Sequence, residues 1–234
     1  MTPPVLAVTF DFGQTLCELD AAMLARRLGE RGLSVAEPRL DAAVIDAWRA
    51  YDAAIDQGLG GHPWKVLMRE LLALAGAPEA SIGDAVDWLW TEQPSRNLWR
   101  RPIDGMIEVV IDLHRAGVRV GVVSNSEGKL AELIDEIGWA AHFPVVADSG
   151  KLGLEKPGPA IFRWAADELG AAPERVVHVG DSLAADVEGA IGAGMRAVYF
   201  KPRARRPAPA GVKIASDAAE LRRALAEWGI AIAG

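Results

Sequence analysis

Short, continuously apolar segments separated by helical patterns constrain the fold of this chain most strongly. The clearest segments are residues 5–10, 118–123, 176–179 and 197–200, with a weaker one at 144–147. None of them alternates between polar and apolar side chains, which is typical of strands buried on both faces. Residues 106–116, 161–169 and 187–193, which lie between them, repeat apolar side chains at helical spacing. The alternation predicts an α/β fold, a doubly wound parallel sheet with helices on both faces.

Residues 18–96 break this alternation. They contain no good strand pattern and four helical stretches, at 21–31, 39–56, 64–75 and 82–90, with a glycine-rich loop at 58–63. We interpret the segment as an inserted α-helical domain. The sequence therefore predicts two domains, a core formed by residues 1–17 and 97–234 and an insertion formed by residues 18–96.

Composition excludes several classes of protein. The 234 residues include 25 Lys and Arg against 32 Asp and Glu, a net charge of −7, which argues against nucleic acid and anionic membranes as partners. Cys17 is the single cysteine, so an internal disulfide and a cysteine-based metal site are excluded. There is no secretion signal and no apolar run of about 18 residues, so a soluble cytoplasmic protein is expected. The basic run at 201–207 is predicted to be a solvated loop.

Polar side chains follow the predicted strands. In open parallel sheets, ligands bind beyond the carboxyl ends of the strands. The residues at those positions are Asp11, Ser124 and Asn125, Asp148, and Asp181 with Asp186, while Lys156 precedes a helix in a proline-flanked loop. Each of them alone is equally typical of a turn, a helix cap or a solvated position. Their recurrence at successive strand ends predicts a site.

Three carboxylates in one site would repel one another unless a cation lies between them. Asp11, Asp181 and Asp186, supplemented by water, form a donor set that suits Mg²⁺. Lys156 could neutralise the remaining charge, and Ser124 Oγ could hold a phosphate oxygen. An ionised Asp11 facing a phosphate is then a competent nucleophile.

These motifs resemble those of the haloacid dehalogenase superfamily, in the order in which that family has them. The matching segments are Phe10-Asp11-Phe12-Gly13-Gln14-Thr15, Val122-Val123-Ser124-Asn125, Glu155-Lys156-Pro157 and Val179-Gly180-Asp181-Ser182 through Asp186. The resemblance implies a Rossmann-like core with residues 18–96 as a mobile cap. It also implies that Asp11 is the nucleophile, that Ser124 binds the phosphoryl group and that Lys156 stabilises its charge. Asp11, the Gly13 carbonyl, Asp181 and Asp186 would hold Mg²⁺, and Asn125 is a further candidate for substrate binding.

The departure from the family pattern is Gly13. Family phosphatases usually have a second Asp at this position, which protonates the leaving oxygen and then activates water. Glycine can do neither, and Gln14 cannot donate a proton at neutral pH. General acid–base catalysis is worth about 10²–10⁴-fold, so turnover is expected to be slower unless the cap supplies a substitute. His62, in the glycine-rich loop, is the candidate, although a histidine in such a loop is also typical of a solvent-facing position.

Three functions remain open at this stage. The first is an Mg²⁺-dependent phosphatase acting on a small phosphorylated metabolite through an aspartyl-phosphate on Asp11. The second is a catalytically impaired phosphate-binding or regulatory protein, and the third is a 2-haloacid dehalogenase. Residues 18–96 carry 8 basic and 13 acidic side chains, which predicts a substrate of modest negative charge. Neither the substrate nor the oligomeric state can be read from the sequence.

Overall fold

The computed structural model describes residues 3–59, 62–203, 207–230 and 232. Its strands, in chain order, are β1 (Ala7–Phe10), β2 (Cys17–Leu19), β3 (Trp99–Pro102), β4 (Arg119–Ser124), β5 (Val145–Asp148), β6 (Val176–Gly180), β7 (Arg196–Phe200) and β8 (Lys213–Ala215). Its α-helices are α1 (Ala21–Glu30), α2 (Glu37–Asp56), α3 (Trp64–Leu74), α4 (Glu79–Glu92), α5 (Met106–Arg115), α6 (Leu130–Glu136), α7 (Ser149–Leu152), α8 (Pro159–Glu168), α9 (Gly189–Ala193) and α10 (Ala218–Ala226).

Six strands form one parallel sheet in the order β5-β4-β1-β6-β7-β8. From β1 the chain runs outward through β4 and β5, and then returns to β6 on the other side of β1. The sheet therefore changes direction beside β1, where an open α/β sheet forms its ligand crevice. The predicted doubly wound α/β fold is confirmed.

Helices cover both faces of this sheet, which explains the unbroken apolar character of its strands. On one face Val8 and Phe10 pack with α5, α6 and α10. On the other face Ala7 packs with α8 and α9. Since alternate side chains of a strand point to opposite faces, β1 has no solvated side.

Four helices, α1 to α4, lie between β2 and β3. Asp20 begins α1 by accepting a hydrogen bond from the backbone N–H of Met23 (2.7 Å). Leu40, Leu67 and Val86 are among the buried residues through which the helices pack together. The helical character predicted for 18–96 matches the structure, while the domain boundaries at 17/18 and 96/97 stay a prediction; we refer to residues 18–96 as the proposed cap.

Two short elements differ from the expectation. The antiparallel pair β2–β3 joins Cys17–Leu19 to Trp99–Pro102, although no strand is predicted at 18–19. Three residues are too few to show an alternation, and the partner strand lies about 80 residues downstream.

In the described part of the chain no helix combines the length and apolar character that crossing a bilayer requires. Residues 60–61 of the glycine-rich loop and 204–206 of the basic run lie outside the described residues.

Candidate active site

The sheet topology brings together three carboxylates that are far apart in the chain. Asp11 follows β1, and Asp181 follows the neighbouring strand β6. Asp186 lies one helical turn later, in a π-helical turn over Leu183–Glu188. All three residues are buried, and each offers an oxygen within 4.8 Å of the others. Buried like charges repel strongly, so this cluster requires positive charge beside it.

Lys156 supplies part of that charge. Its Nζ donates to Asp11 Oδ1 (2.5 Å) and to Asp186 Oδ1 (2.6 Å). The side chain is 3% exposed. Burial alone would lower the pKa of Lys156, but the two carboxylates hold it above its ordinary value. Ser124, at the end of β4, donates its Oγ proton to the same Asp11 oxygen (2.9 Å).

Asp186 is held in place by two groups besides Lys156. The backbone N–H of Ser182 donates to its Oδ2 (2.9 Å), and His178 Nε2 lies 3.3 Å from its Oδ1. Burial lowers the pKa of His178, so the neutral ring donates through Nε2 and accepts the Thr9 hydroxyl proton at Nδ1 (2.9 Å). A Cβ at Gly180 would lie 2.3 Å from the Asp186 carboxyl carbon. The glycine of the Gly-Asp motif is therefore required because the carboxylate packs against its α-carbon.

Arg203 brings a second permanent cation to the cluster. Its guanidinium donates to Asp52 (Nε to Oδ2, 2.8 Å) and to Asp181, and lies 5.0 Å from the ring centroid of Trp48. Ser182 Oγ also donates to Asp52 (2.8 Å). The expectation of a solvated loop at 201–207 is wrong at Arg203, whose side chain is 9% exposed. Paired with two carboxylates and stacked on an indole, its charge can be buried.

The charges around this cluster favour a divalent cation. Asp11, Asp52, Asp181 and Asp186 are four carboxylates, and Lys156 and Arg203 are two cations. Burial raises the pKa of Asp11, and raises that of Asp181 to about 7, even though Lys156 and Arg203 lower them. In contrast, Lys156 and His178 outweigh burial at Asp186 and hold its pKa below its ordinary value. The four carboxylates thus outnumber the two cations by two. Mg²⁺ carries two positive charges and prefers hard carboxylate oxygens, so it fits this cluster.

Gly13 lies under an aromatic ring. A Cβ at position 13 would approach Trp99 Cδ1 to 3.3 Å and Nε1 to 3.6 Å. Trp99 is at the start of β3, and its ring packs edge-on to the ring of Trp48 at a centroid distance of 5.9 Å. A carboxylate at position 13 therefore requires the indole of Trp99 to shift by a few tenths of an ångström.

His62 lines the same cleft as Asp11 and is not a solvent-facing loop residue. Its Nε2 lies 3.3 Å from Glu127 Oε1, and its Nδ1 lies 3.3 Å from the Tyr51 hydroxyl. Burial, followed by the charges of Asp11 and Asp186, raises the pKa of Tyr51 well above its ordinary value. Tyr51 therefore keeps its proton within electrostatic range of the carboxylates.

Asn125 acts on the loop that carries Lys156. Its side chain donates to the Lys156 carbonyl (3.0 Å) and accepts from the Lys156 backbone N–H (2.8 Å). Asp148, at the end of β5, accepts three backbone N–H groups, those of Gly128, Leu130 and Gly150. Asp148 therefore stabilises the backbone of the loops beside the site.

A cleft of about 600 Å³, which includes the open solvent at its mouth, joins these residues to the proposed cap. Its lining includes Asp11, Ser124 and Lys156. Aromatic side chains also line it, among them Trp48, Tyr51, Trp64 and Trp99. The surface cations of this region pair elsewhere, because Lys65 binds Asp87, Arg96 binds Glu30 and Arg100 binds Glu136.

Sequence reasoning missed Glu127 and Gln93 in the cleft, and Asp52 and Arg203 beside the carboxylate cluster. Glu127 and Arg203 each lie three residues after the end of a core strand, at Ser124 and Phe200, and this position was a usable signal. Gln93 follows no strand that the pattern identifies, and Asp52 is one of several acidic residues of α2, so these two offered none.

Comparison with known proteins agrees with this geometry. The haloacid dehalogenase-like hydrolase profile matches residues 5–194. The chain belongs to the haloacid dehalogenase-like hydrolase family. The resemblance seen in the four motifs is thereby confirmed, and the protein is a hydrolase.

Relatives cover most of this hydrolase. Mouse haloacid dehalogenase-like hydrolase domain-containing protein 3 is 28% identical over 80% of this chain and 78% of its own. The glyceraldehyde 3-phosphate phosphatase of Methanopyrus kandleri is 30% identical over 84% of each chain. The solved structure of the HAD-hydrolase YfnB from Bacillus subtilis, bound to magnesium, matches 95% of this chain and 99% of its own, with a TM-score of 0.71 and 19% identity.

Proposed function

We propose that this hydrolase is an Mg²⁺-dependent phosphatase that cleaves a small organic phosphate monoester through an aspartyl-phosphate on Asp11. The observation that carries the proposal is the buried cluster of Asp11, Asp181 and Asp186 next to Ser124 and Lys156. The phosphatase name of the Methanopyrus relative supports the same chemistry. We also propose that residues 18–96 act as the cap that closes over the substrate.

In the first step, an Asp11 oxygen attacks phosphorus, and the bond from phosphorus to the leaving oxygen breaks. Lys156 and Ser124 both donate to Asp11 Oδ1, so we assign the attack to Oδ2. Their donors hold the carboxylate in a single orientation, which lowers the entropic part of the barrier. We assign Ser124 and Asn125 to the phosphate side of the cleft.

In the second step, water attacks phosphorus and the bond to Asp11 breaks, which releases inorganic phosphate. We propose that His62 donates a proton to the leaving oxygen in the first step and accepts one from water in the second. Glu127 beside Nε2 and the Tyr51 hydroxyl beside Nδ1 orient the ring in the cleft. This arrangement would replace the carboxylate that Gly13 lacks.

Asp11, Asp181, Asp186 and the Gly13 carbonyl are the groups we propose to hold Mg²⁺. When bound, the ion would polarise the phosphoryl oxygens and offset the charge of the carboxylates.

The two alternative functions use this cluster differently. Metal-free dehalogenation of a 2-halo acid would not require Asp181 and Asp186 as metal ligands. An impaired phosphate-binding protein would keep the cluster but release no phosphate.

Phosphate release is expected to require the divalent ion. The purified protein is incubated with 4-nitrophenyl phosphate in Mg²⁺ and in EDTA, and nitrophenolate is followed by absorbance. EDTA is expected to reduce the rate by about 10²-fold or more, and added Mg²⁺ should restore it. Equal rates in both buffers contradict the metal assignment.

Two further readouts address the alternatives. Absence of release from every ester tested, together with calorimetric binding of inorganic phosphate, would favour the impaired protein. Chloride released from 2-chloropropionate without metal would favour the dehalogenase.

Introducing a carboxylate at Gly13 is expected to accelerate the hydrolysis of esters with poor leaving groups. Gly13→Asp should raise kcat for glycerol 3-phosphate by roughly 10-fold or more, since a positioned acid is worth about 10²–10⁴-fold. The gain should be smaller for 4-nitrophenyl phosphate, whose leaving group needs no proton. Both rates are measured by phosphate release at saturating Mg²⁺.

Gly13→Ala is the matched control, because it introduces the 3.3 Å contact with Trp99 without the carboxylate. His62→Asn should lower kcat for glycerol 3-phosphate more than for 4-nitrophenyl phosphate, and Gly13→Asp should compensate for that loss. If Gly13→Asp folds and binds Mg²⁺ but gains no more than Gly13→Ala, the account of position 13 is wrong.

A further inference from the structure

The lining of the cleft contains buried polar atoms that have no hydrogen-bond partner in the described part of the chain. Gln93 follows the last residue of α4, has no exposed surface and lines the cleft. Among the described residues, neither its Oε1 nor its Nε2 has a hydrogen-bond partner. A buried amide of this kind is rare, because folded proteins satisfy almost all such groups.

Two indole N–H groups share this condition. Trp64 Nε1 and Trp99 Nε1 are buried and unpaired within the described residues, and both side chains line the same cleft. The two rings lie 6.3 Å apart between centroids. The residues that line the cleft therefore include three with buried N–H donors and one with a buried carbonyl acceptor, none of them paired within the described residues, beside aromatic rings.

Among the described lining residues, the cleft offers no unpaired lysine or arginine to a second anionic group. Lys156 is the only Lys or Arg among the described lining residues, and it is committed to Asp11 and Asp186. In addition, Glu127, which also lines the cleft, places a carboxylate between His62 and Asn97. A carboxylate or second phosphate on the leaving group would meet negative charge and unpaired dipoles.

From this pattern we infer that the leaving group of the substrate is an uncharged polyol or sugar, and that Gln93 is the residue that selects it. Hydroxyl groups both donate and accept, as the amide of Gln93 requires, and they can accept from the indoles of Trp64 and Trp99. The C–H faces of a polyol pack on aromatic rings. The inference rests on the proposed phosphatase function and specifies its substrate class.

The test compares matched esters that differ in one charged group. Glycerol 3-phosphate is paired with 3-phosphoglycerate, and sorbitol 6-phosphate with 6-phosphogluconate, while n-propyl phosphate lacks hydroxyl groups. In both pairs kcat/KM is expected to be at least about 10-fold higher for the uncharged member. A preference for the carboxylate member in either pair overturns the inference.

Gln93→Met tests the residue, because methionine fills a similar volume without an amide. It should lower kcat/KM for the preferred polyol phosphate by roughly 10- to 100-fold and change n-propyl phosphate by less than about threefold. Thr91→Val, a polar-to-apolar change at an exposed position of α4, is the matched control and should leave both esters unchanged. If Gln93→Met lowers kcat/KM equally for both esters, Gln93 has a structural role and does not select the leaving group.

A binding measurement tests this inference independently of hydrolysis, and therefore independently of the proposed phosphatase function. Glucose 6-phosphate is titrated into the wild-type protein and Gln93→Leu, with tryptophan fluorescence as the readout, since Trp64 and Trp99 line the cleft. Weaker binding to Gln93→Leu supports polyol recognition even if no ester is hydrolysed. Unchanged affinity refutes it even if phosphatase activity is present.

Discussion

Asp11→Asn is expected to reduce phosphate release by roughly 10⁴-fold or more, because an amide oxygen cannot form the aspartyl-phosphate. The substitution keeps the shape of the side chain and its place beside Ser124 and Lys156. It also removes one of the buried like charges, so folding should be unaffected or favoured when metal is absent. The measurement is steady-state release from 4-nitrophenyl phosphate at saturating Mg²⁺.

Asp148→Asn is the matched control for this substitution. Asp148 is also a buried carboxylate at a strand end, but its described hydrogen bonds come from backbone N–H groups. It is expected to lose some stability and to retain activity within about tenfold. Acid-quenched wild-type enzyme should carry one phosphoryl group by mass spectrometry, whereas Asp11→Asn should carry none. Release by Asp11→Asn at more than about a tenth of the wild-type rate would contradict the nucleophile assignment.

Lys156→Met is expected to have the largest effect on stability. Removing the ammonium leaves Asp11 and Asp186 buried without the cation that now lies 2.5 and 2.6 Å from their oxygens. Breaking a buried ion pair in this way costs about 3–5 kcal/mol. The free energy of unfolding, measured with urea in EDTA, should fall by that amount. Activity should fall as well, because the orientation of Asp11 is lost.

Metal provides the internal check on this second prediction. If Asp11 and Asp186 share Mg²⁺, saturating Mg²⁺ should recover part of the stability lost in Lys156→Met, because the ion binds only the folded state. Lys151→Met, at an exposed position of α7, should change stability by less than about 0.5 kcal/mol in either buffer. A loss below about 1 kcal/mol for Lys156→Met in EDTA would show that Lys156 does not compensate these carboxylates.

The strand-end residues could be placed from sequence because their positions follow from a local rule. An apolar run predicts a buried strand, and parallel strands place their carboxyl ends at one edge of the sheet. Asp11, Ser124 and Asp181 therefore meet without any knowledge of side-chain packing. The sequence places Asp186 at the site through its spacing from the Gly-Asp motif. The structure adds the reason for the glycine, because a Cβ at position 180 would collide with the Asp186 carboxylate.

The alternation of buried strands and helices in the core, the helical character of residues 18–96 and the grouping of the strand-end residues were thus determined by the sequence alone. The approach of Trp99 to Gly13, the burial of Arg203 between Asp52 and Asp181, and the unpaired amide of Gln93 were decided by the tertiary structure. Each of these depends on how the inserted helices pack over the sheet. That packing is set by many weak apolar contacts between distant residues, which no local pattern encodes.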